Sequence, residues 1–443
     1  MTLGGMIRRL RGAAQARVVY VMTSSWMDEI IKRIGDATGT RSEVIFYHCV
    51  SDPHSVLLLQ AVKCLLERNG DLKIKLLLVD ETTNQNLAGY ATTQSEQFAW
   101  RIKDAKVLSE LYKDDITGLP KGFDSVPSTQ AIQLGNAIFI GKSIEYLDIN
   151  SIEEFIHVNN LVLLNCVDEL EAISQPGMSD ESVQDILAAN TAVLGRSGHY
   201  MSGMLQYGFD WFWGLDRLNY LEEQLRPTEI PRFNRTLDIK LAPVTSCRER
   251  TCPIKLFYSF RSPYSQIVLK PLFKLADHYG VNVEICPVLP LAMRGANIPL
   301  VKKLYIVRDT KRQARSLGQE SYGFLNDPIG EPTRNALRIY IQARHCKKER
   351  EYLLSFSDHV YCRGFDANEL STLRSICAQA GFSLDETYLK DDNNWKSLVN
   401  KNLESLKSMG LWGVPSFCYG ETHIWGQDRL FCLNQAIIRE TCN

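Results

Sequence analysis

Phe257-Tyr258-Ser259-Phe260-Arg261-Ser262-Pro263-Tyr264-Ser265 joins two kinds of sequence. Before it, Ile254 to Phe260 is apolar and β-prone. After it, Gln266 to His278 has helical character. The pattern predicts a strand that runs into a helix, with Ser262 at the junction. Pro263 suits the first helical turn, where its missing N–H costs nothing. Ser262 can be an ordinary N-cap, or it can hold a ligand at the helix end, where free N–H groups favour an anion. Much later come Gly413-Val414-Pro415-Ser416-Phe417 and Trp425-Gly426-Gln427-Asp428-Arg429-Leu430.

The same skeleton occurs earlier. Val44 to Val50 is apolar, Ser51-Asp52-Pro53-His54-Ser55 follows, and a helical run extends from Val56 to Glu67. Pro53 and Pro263 stand 210 positions apart. Trp213-Gly214-Leu215-Asp216-Arg217-Leu218 and Trp425-Gly426-Gln427-Asp428-Arg429-Leu430 stand 212 apart. Two anchors at nearly constant separation predict an internal duplication. Each unit is expected to run strand, helix, strand, a long helical stretch, two short strands and a helix. The second strands are Lys73 to Val79 and Val281 to Cys286, reached by parallel crossovers. Ser416 to Tyr419 and Thr422 to Trp425 predict a hairpin turning at Gly420. Arg338 to Asn402 predicts an inserted helical layer. Ala137-Ile138-Phe139-Ile140 suggests an extra strand with no evident place. Trp26 to Ile34 is a candidate amphipathic helix.

These observations set the domain expectation. Residues 1–43 are an N-terminal extension and 44–225 a degenerate unit. Residues 226–252 form a proline-bearing linker, and 253–443 the unit that keeps the chemistry. At 443 residues the chain exceeds one ordinary domain. A net charge of −1 makes no electrostatic case for nucleic acid or an anionic membrane as partner. No apolar run approaches a membrane span. The arginines at 8, 9, 11 and 17 in an acid-free start leave an organelle presequence open beside a frayed tail. Twelve cysteines without a Cys-x-x-Cys pair favour core thiols in a reducing compartment, and hence the cytoplasm. No metal-ligand spacing is present.

A serine cannot exchange disulfides, but its O–H can donate to a thiolate. A hydrogen bond to a charged group is worth about 1.5–3 kcal/mol, enough to move a thiol pKa down by about one to two. Pro415, after a glycine and at a strand start, is where a cis bond makes a tight turn; an ordinary strand-initiating proline is the alternative. With the bond cis, the Val414 N–H and C=O are expected to face outward and pair with an extended peptide-like ligand. Asp428 can cap the last helix or bind an ammonium, and Arg429 can meet a carboxylate. Lys302, near Asn297, suits a glycyl carboxylate or an ordinary solvated helix face.

Taken together, Ser-Pro-Tyr-Ser, the run from Pro287 to Asn297, Lys302 before Tyr305, Gly-Val-Pro-Ser-Phe and Trp-Gly-Gln-Asp-Arg-Leu resemble the kappa-class glutathione transferases and the 2-hydroxychromene-2-carboxylate isomerases. Both are DsbA-like thioredoxin-fold families with a helical insertion. The resemblance spans about Ile254 to Glu440. It implies an α/β architecture of two thioredoxin-like units, with Ser262 on the sulfur of glutathione as cofactor or co-substrate. Val414 beside Pro415 would pair with the cysteinyl backbone. Gln427 and Asp428 would hold the γ-glutamyl end, with Asn297 and Lys302 supporting the tripeptide. The run from Met293 to Asn297 is one residue shorter than in those families, which bears on Asn297. The partner implied is a small electrophile, and the activity an isomerase or transferase. The non-enzymatic alternative is a peptide-binding or assembly module. An intrachain pseudo-dimer or a homodimer is compatible with the duplication. In the first unit Asp52 replaces the serine and would repel a thiolate, and Gly203 falls at the place of Pro415.

Overall fold

The computed structural model describes residues 25–80, 94–174, 179–197, 199, 201–235, 239–243, 252–295, 298, 300–390 and 393–442. The chain divides into two compact units, the first running to Arg235. Both are α/β, thioredoxin-like and carry helical insertions.

In the first unit, strands β1 (Val44–His48), β2 (Ile74–Leu78), β3 (Met204–Tyr207) and β4 (Asp210–Trp213) form one sheet in the order β2-β1-β3-β4. β1 and β2 are parallel, with Val44 opposite Ile74 and His48 opposite Leu78. β3 returns antiparallel to β1, and β4 antiparallel to β3. The second unit repeats this with β5 (Ile254–Tyr258), β6 (Val283–Pro287), β7 (Ser416–Tyr419) and β8 (Thr422–Trp425), in the order β6-β5-β7-β8 and with the same senses. The closing hairpins also match. Gly208 and Gly420 both take positive φ, +61° and +54°, at the turns where other residues are strained.

β5 is central, so its residues are covered on both faces, and Leu256, Phe257 and Tyr258 are fully buried. The strand's exit carries Phe260, whose ring packs edge-on against Phe356 at 4.9 Å and also meets Tyr340 and Tyr352. Those rings come from the expected helical layer, built of Glu331–His345, Glu349–Ser357, Leu370–Gln379 and Asn393–Ser408. The insertion thus covers the sheet beside the turn that bears Ser262.

Three expectations change. Ala137 to Ile140 is no strand; it ends the helix Thr129–Gly141, capped by Ser128. Phe139 stacks on Phe155 at 4.0 Å and Gly135 meets Val162, so packing overrides the β-preference of an isoleucine-rich run. The single helix expected after Ser262 is two, Pro263–Ile267 and Leu269–Tyr279, joined at Val268. The third concerns the proline-bearing stretch, which is not all free linker. Up to Arg235 it is strapped to the first unit: Phe233 is buried, Arg235 meets Asp115 at 2.8 Å, and Glu229 and Glu222 share Arg68. Ala242 and Lys240 are held by the second unit instead, through the Tyr279 hydroxyl and the Asn434 amide. The amphipathic segment near Trp26 lies within the helix Ser25–Thr38.

Among the described residues no helix is long and apolar enough to cross a membrane. Cys64, Cys286, Cys377 and Cys432 are buried and Cys166 is half-buried. Burial pushes the Cys286 and Cys377 thiols up to about 12, where they are inert.

Candidate functional site

The turn after β5 is held from several sides. Gln266 accepts the Tyr258 hydroxyl at 2.7 Å and donates to the carbonyls of Ser259 and Phe260 at 3.1 and 3.3 Å. The Tyr361 hydroxyl donates to the Phe260 carbonyl at 2.9 Å. Arg261 forms a two-pronged pair with Asp327, both contacts 2.8 Å. Strand, helix and insertion therefore immobilise the backbone on either side of Ser262. Its side chain caps the following helix by accepting the Ser265 N–H at 3.3 Å. That helix has five residues, so the hydroxyl itself, more than a long dipole, is what Ser262 offers.

The Val414–Pro415 bond is cis. The Ser262 hydroxyl donates to the Val414 carbonyl at 3.3 Å. The Val414 C=O is therefore taken from within, while no hydrogen bond from its N–H is present among the described residues. Glycine is required just before. A Cβ on Gly413 would lie 2.4 Å from the Trp425 indole nitrogen. Trp412 packs against Trp425 at 5.1 Å, and its carbonyl accepts from Arg294 at 3.1 Å.

Gln427 and Asp428 lie in the short 3-10 turn before the last helix, Leu430–Cys442, and Asp428 is buried. Arg429 meets the Asp428 carboxylate at 3.3 Å and is buried. Gln427 donates to Asp428 Oδ2 at 3.3 Å and to Gln313 Oε1 at 2.9 Å. Gln313 in turn donates to Asp309, which also accepts the Tyr264 hydroxyl at 2.7 Å. Both come from the helix Leu300–Ser316, which packs on the helix that begins at Pro263. Lys302 lies on the same helix, two turns before Asp309 and on the same face by spacing. It is half-buried, and burial pulls its ammonium down to about 8. Asn297 lies outside the described residues. Thus Ser262, Val414, Pro415, Gln427 and Asp428 stand on mutually packed elements. Sequence reasoning missed Gln313 and Gln266. The spacing of four between Asp309 and Gln313 was the signal available for the first.

Residues 253–438 match the family described as DSBA-like thioredoxin domain. The second unit is a DsbA-like thioredoxin domain. No curated protein matches the chain. Among solved structures it is similar to a 2-hydroxychromene-2-carboxylate isomerase, at 22% identity and TM-score 0.35 over 42% of this chain and 95% of that one. It is also similar to a probable DsbA oxidoreductase from Streptomyces coelicolor, at 16% and 0.33 over 42% and 89%. A putative protein disulfide isomerase from Nitrosomonas europaea matches at 14% and 0.33 over 43% and 99%.

The first unit places other chemistry at the corresponding turn. Where the DsbA-like domain has Ser262, Asp52 caps the helix Pro53–Arg68, accepting the His54 N–H at 3.2 Å and the Ser202 hydroxyl at 2.8 Å. Its carboxylate is buried and occupied. Gly203 does fall at the place of Pro415: the Gly214 N–H donates to the Gly203 carbonyl as the Gly426 N–H donates to that of Pro415, both at 2.9 Å. His54 meets Asp104 at 3.4 Å, where the DsbA-like domain has Tyr264 on Asp309.

Proposed function

We propose that the DsbA-like domain binds glutathione and that Ser262 holds its sulfur as a thiolate for attack on a small electrophilic molecule. Bound glutathione supplies the nucleophile; the chain binds, orients and stabilises it. The observation that carries the reading is the Ser262 hydroxyl, half-buried and 3.3 Å from the Val414 carbonyl. The four-residue turn has serine at both ends, so it has no thiol for disulfide exchange of its own. Ser265 is fully buried beneath the turn, which leaves Ser262 as the hydroxyl a ligand can reach.

The hydrogen bonding suggests how binding proceeds. Before binding, the Ser262 proton rests on the Val414 carbonyl. An arriving thiolate is the stronger acceptor and draws that proton toward sulfur. The Val414 carbonyl is then released to accept an N–H from the ligand backbone, and its own N–H can donate to a ligand carbonyl as a short added strand. Preorganised stabilisation of the sulfur charge is the main catalytic contribution. If the adduct keeps the thiol the enzyme is a transferase; if the thiol leaves after rearrangement it is an isomerase.

The first unit is read as an internal copy that lost this chemistry. Its Asp52 supplies an internal carboxylate where a ligand thiolate would otherwise sit. The second reading, a non-catalytic binding or assembly module, is favoured by one fact: the Ser262 hydroxyl is already engaged as donor and acceptor within the turn. Titration of glutathione into the protein, with the thiolate followed by its ultraviolet absorbance, separates the two. Binding with a thiol pKa below that of free glutathione supports the enzyme; no binding at millimolar concentration removes it.

A further inference from the structure

The polar side chains beside Gln427 form an ordered series, and their order has a chemical consequence. Asp309 is buried, with its Oδ2 taking the Tyr264 hydroxyl at 2.7 Å and the Gln313 amide at 3.0 Å. A carboxylate only accepts, so it is the NH2 end of Gln313 that must face it. Gln313 is itself buried and has one remaining end, its carbonyl, which points to Gln427. The Gln427 amide must then turn its NH2 toward Gln313, at 2.9 Å, and toward Asp428 Oδ2, at 3.3 Å. The Gln427 carbonyl oxygen is left over, and no hydrogen bond uses it among the described residues.

We infer that Asp309 and Gln313 set the polarity of Gln427, so that it presents a carbonyl oxygen beside the Asp428 carboxylate and selects ligands with an ammonium group. This rests on the glutathione reading and extends it: the γ-glutamyl end is chosen for its α-ammonium, and residues remote from the ligand decide that choice. Asp428 Oδ2 holds the same NH2 at the longer distance of 3.3 Å, against 2.9 Å to Gln313, so without Gln313 the amide is less firmly oriented, and an NH2 turned outward repels an ammonium. Asp309, Gln313 and Tyr264 are positioning residues, since each acts through the next. Tyr264 adds a second link. It stands two residues after Ser262, so the same aspartate ties the sulfur end of the site to the ammonium end.

The test compares glutathione with glutaryl-cysteinyl-glycine, identical except that the α-ammonium is absent, by titration calorimetry on the full chain. Wild type is expected to prefer glutathione about tenfold or more, the worth of a charge-assisted hydrogen bond. Gln313→Met keeps the length of the side chain, fits a buried position and cuts the series. It is expected to bring the preference down to about two- to threefold while leaving the analogue's affinity within about twofold. A general packing defect would weaken both ligands alike and so cannot imitate this. Adding Gln427→Glu to Gln313→Met supplies acceptors at both ends and is expected to restore the preference. Equal affinities in wild type, or full preference retained in Gln313→Met, overturn the inference. Wild type that binds neither ligand overturns the glutathione reading and this inference with it.

Discussion

The Ser262 hydroxyl meets the Val414 carbonyl oxygen at 3.3 Å, across 152 residues of chain. One atom of the turn after β5 thus guards one atom of the loop before β7. Ser262→Ala removes the donor and leaves the carbonyl open to a ligand. Thiol-dependent turnover is expected to fall about 10–100-fold, with glutathione affinity less affected. Steady-state kinetics and calorimetry on the same variant check it, and unchanged turnover would retire Ser262.

Asp52→Ala should act on stability alone. The substitution removes an N-cap and the acceptor of the 2.8 Å bond from the Ser202 hydroxyl, at a cost of about 1–2 kcal/mol. Denaturant midpoints would register this while turnover stays at the wild-type level. A loss of activity comparable to that of Ser262→Ala would show that the first unit takes part in catalysis.

His48 lies in the core of the first unit, bonded to Ser55 at 2.7 Å and to Asn159 at 3.3 Å. Burial lowers its pKa to about 4 from 6.5. The unfolded chain therefore binds this proton first, and stability falls as pH drops from about 6.5 toward 4. The full effect is roughly 3 kcal/mol, complete below the folded value. His48→Phe should flatten that part of the pH–stability curve, read from urea unfolding at pH 7 and pH 5. An equal slope in both proteins would contradict the assignment.

Gly413→Ala tests the loop that carries Val414. The new Cβ would lie 2.4 Å from the Trp425 ring nitrogen, and the indole has little freedom to yield against Trp412. Overpacking of this kind costs about 1–3 kcal/mol. We expect a weaker KM for glutathione and a shift in tryptophan fluorescence. A variant with wild-type KM and spectrum would mean that the loop accommodates the methyl group.

Lys302, with its ammonium pulled down to about 8 by burial, loses its charge as pH rises through that value. With Lys302 on the glycyl carboxylate, binding of the S-methyl derivative of glutaryl-cysteinyl-glycine, which has neither a thiol nor an ammonium to titrate, weakens above pH 8. Lys302→Arg, charged throughout, would bind equally at pH 7 and pH 9. Wild-type affinity that is flat across this range would remove Lys302 from the site.

Much of the architecture was legible because it is written in local terms. Apolar β-prone runs ending in Asp52-Pro53 and Ser262-Pro263 announce strand-to-helix turns, and the 210- and 212-residue separations announce that the chain does this twice. Gly420 between Tyr419 and Thr422 announces the closing hairpin. These signals depend on residues within a few positions of one another, so they survive without coordinates. Ala137 to Ile140 misled for the complementary reason: an isoleucine-rich tetrapeptide carries both strand and helix preference, and the stack of Phe139 on Phe155 decides between them.

The chain by itself determined the two α/β units, the serine turn without a thiol, and the aspartate at the corresponding turn of the first unit. Tertiary structure alone decided which atoms meet. It turned the Ser262 hydroxyl toward the Val414 carbonyl, occupied Asp52 with Ser202, and brought Gln427 to the Asp309–Gln313 pair. Hydrogen-bond direction depends on distances between residues 100 or more positions apart, and no local pattern of residue types specifies those.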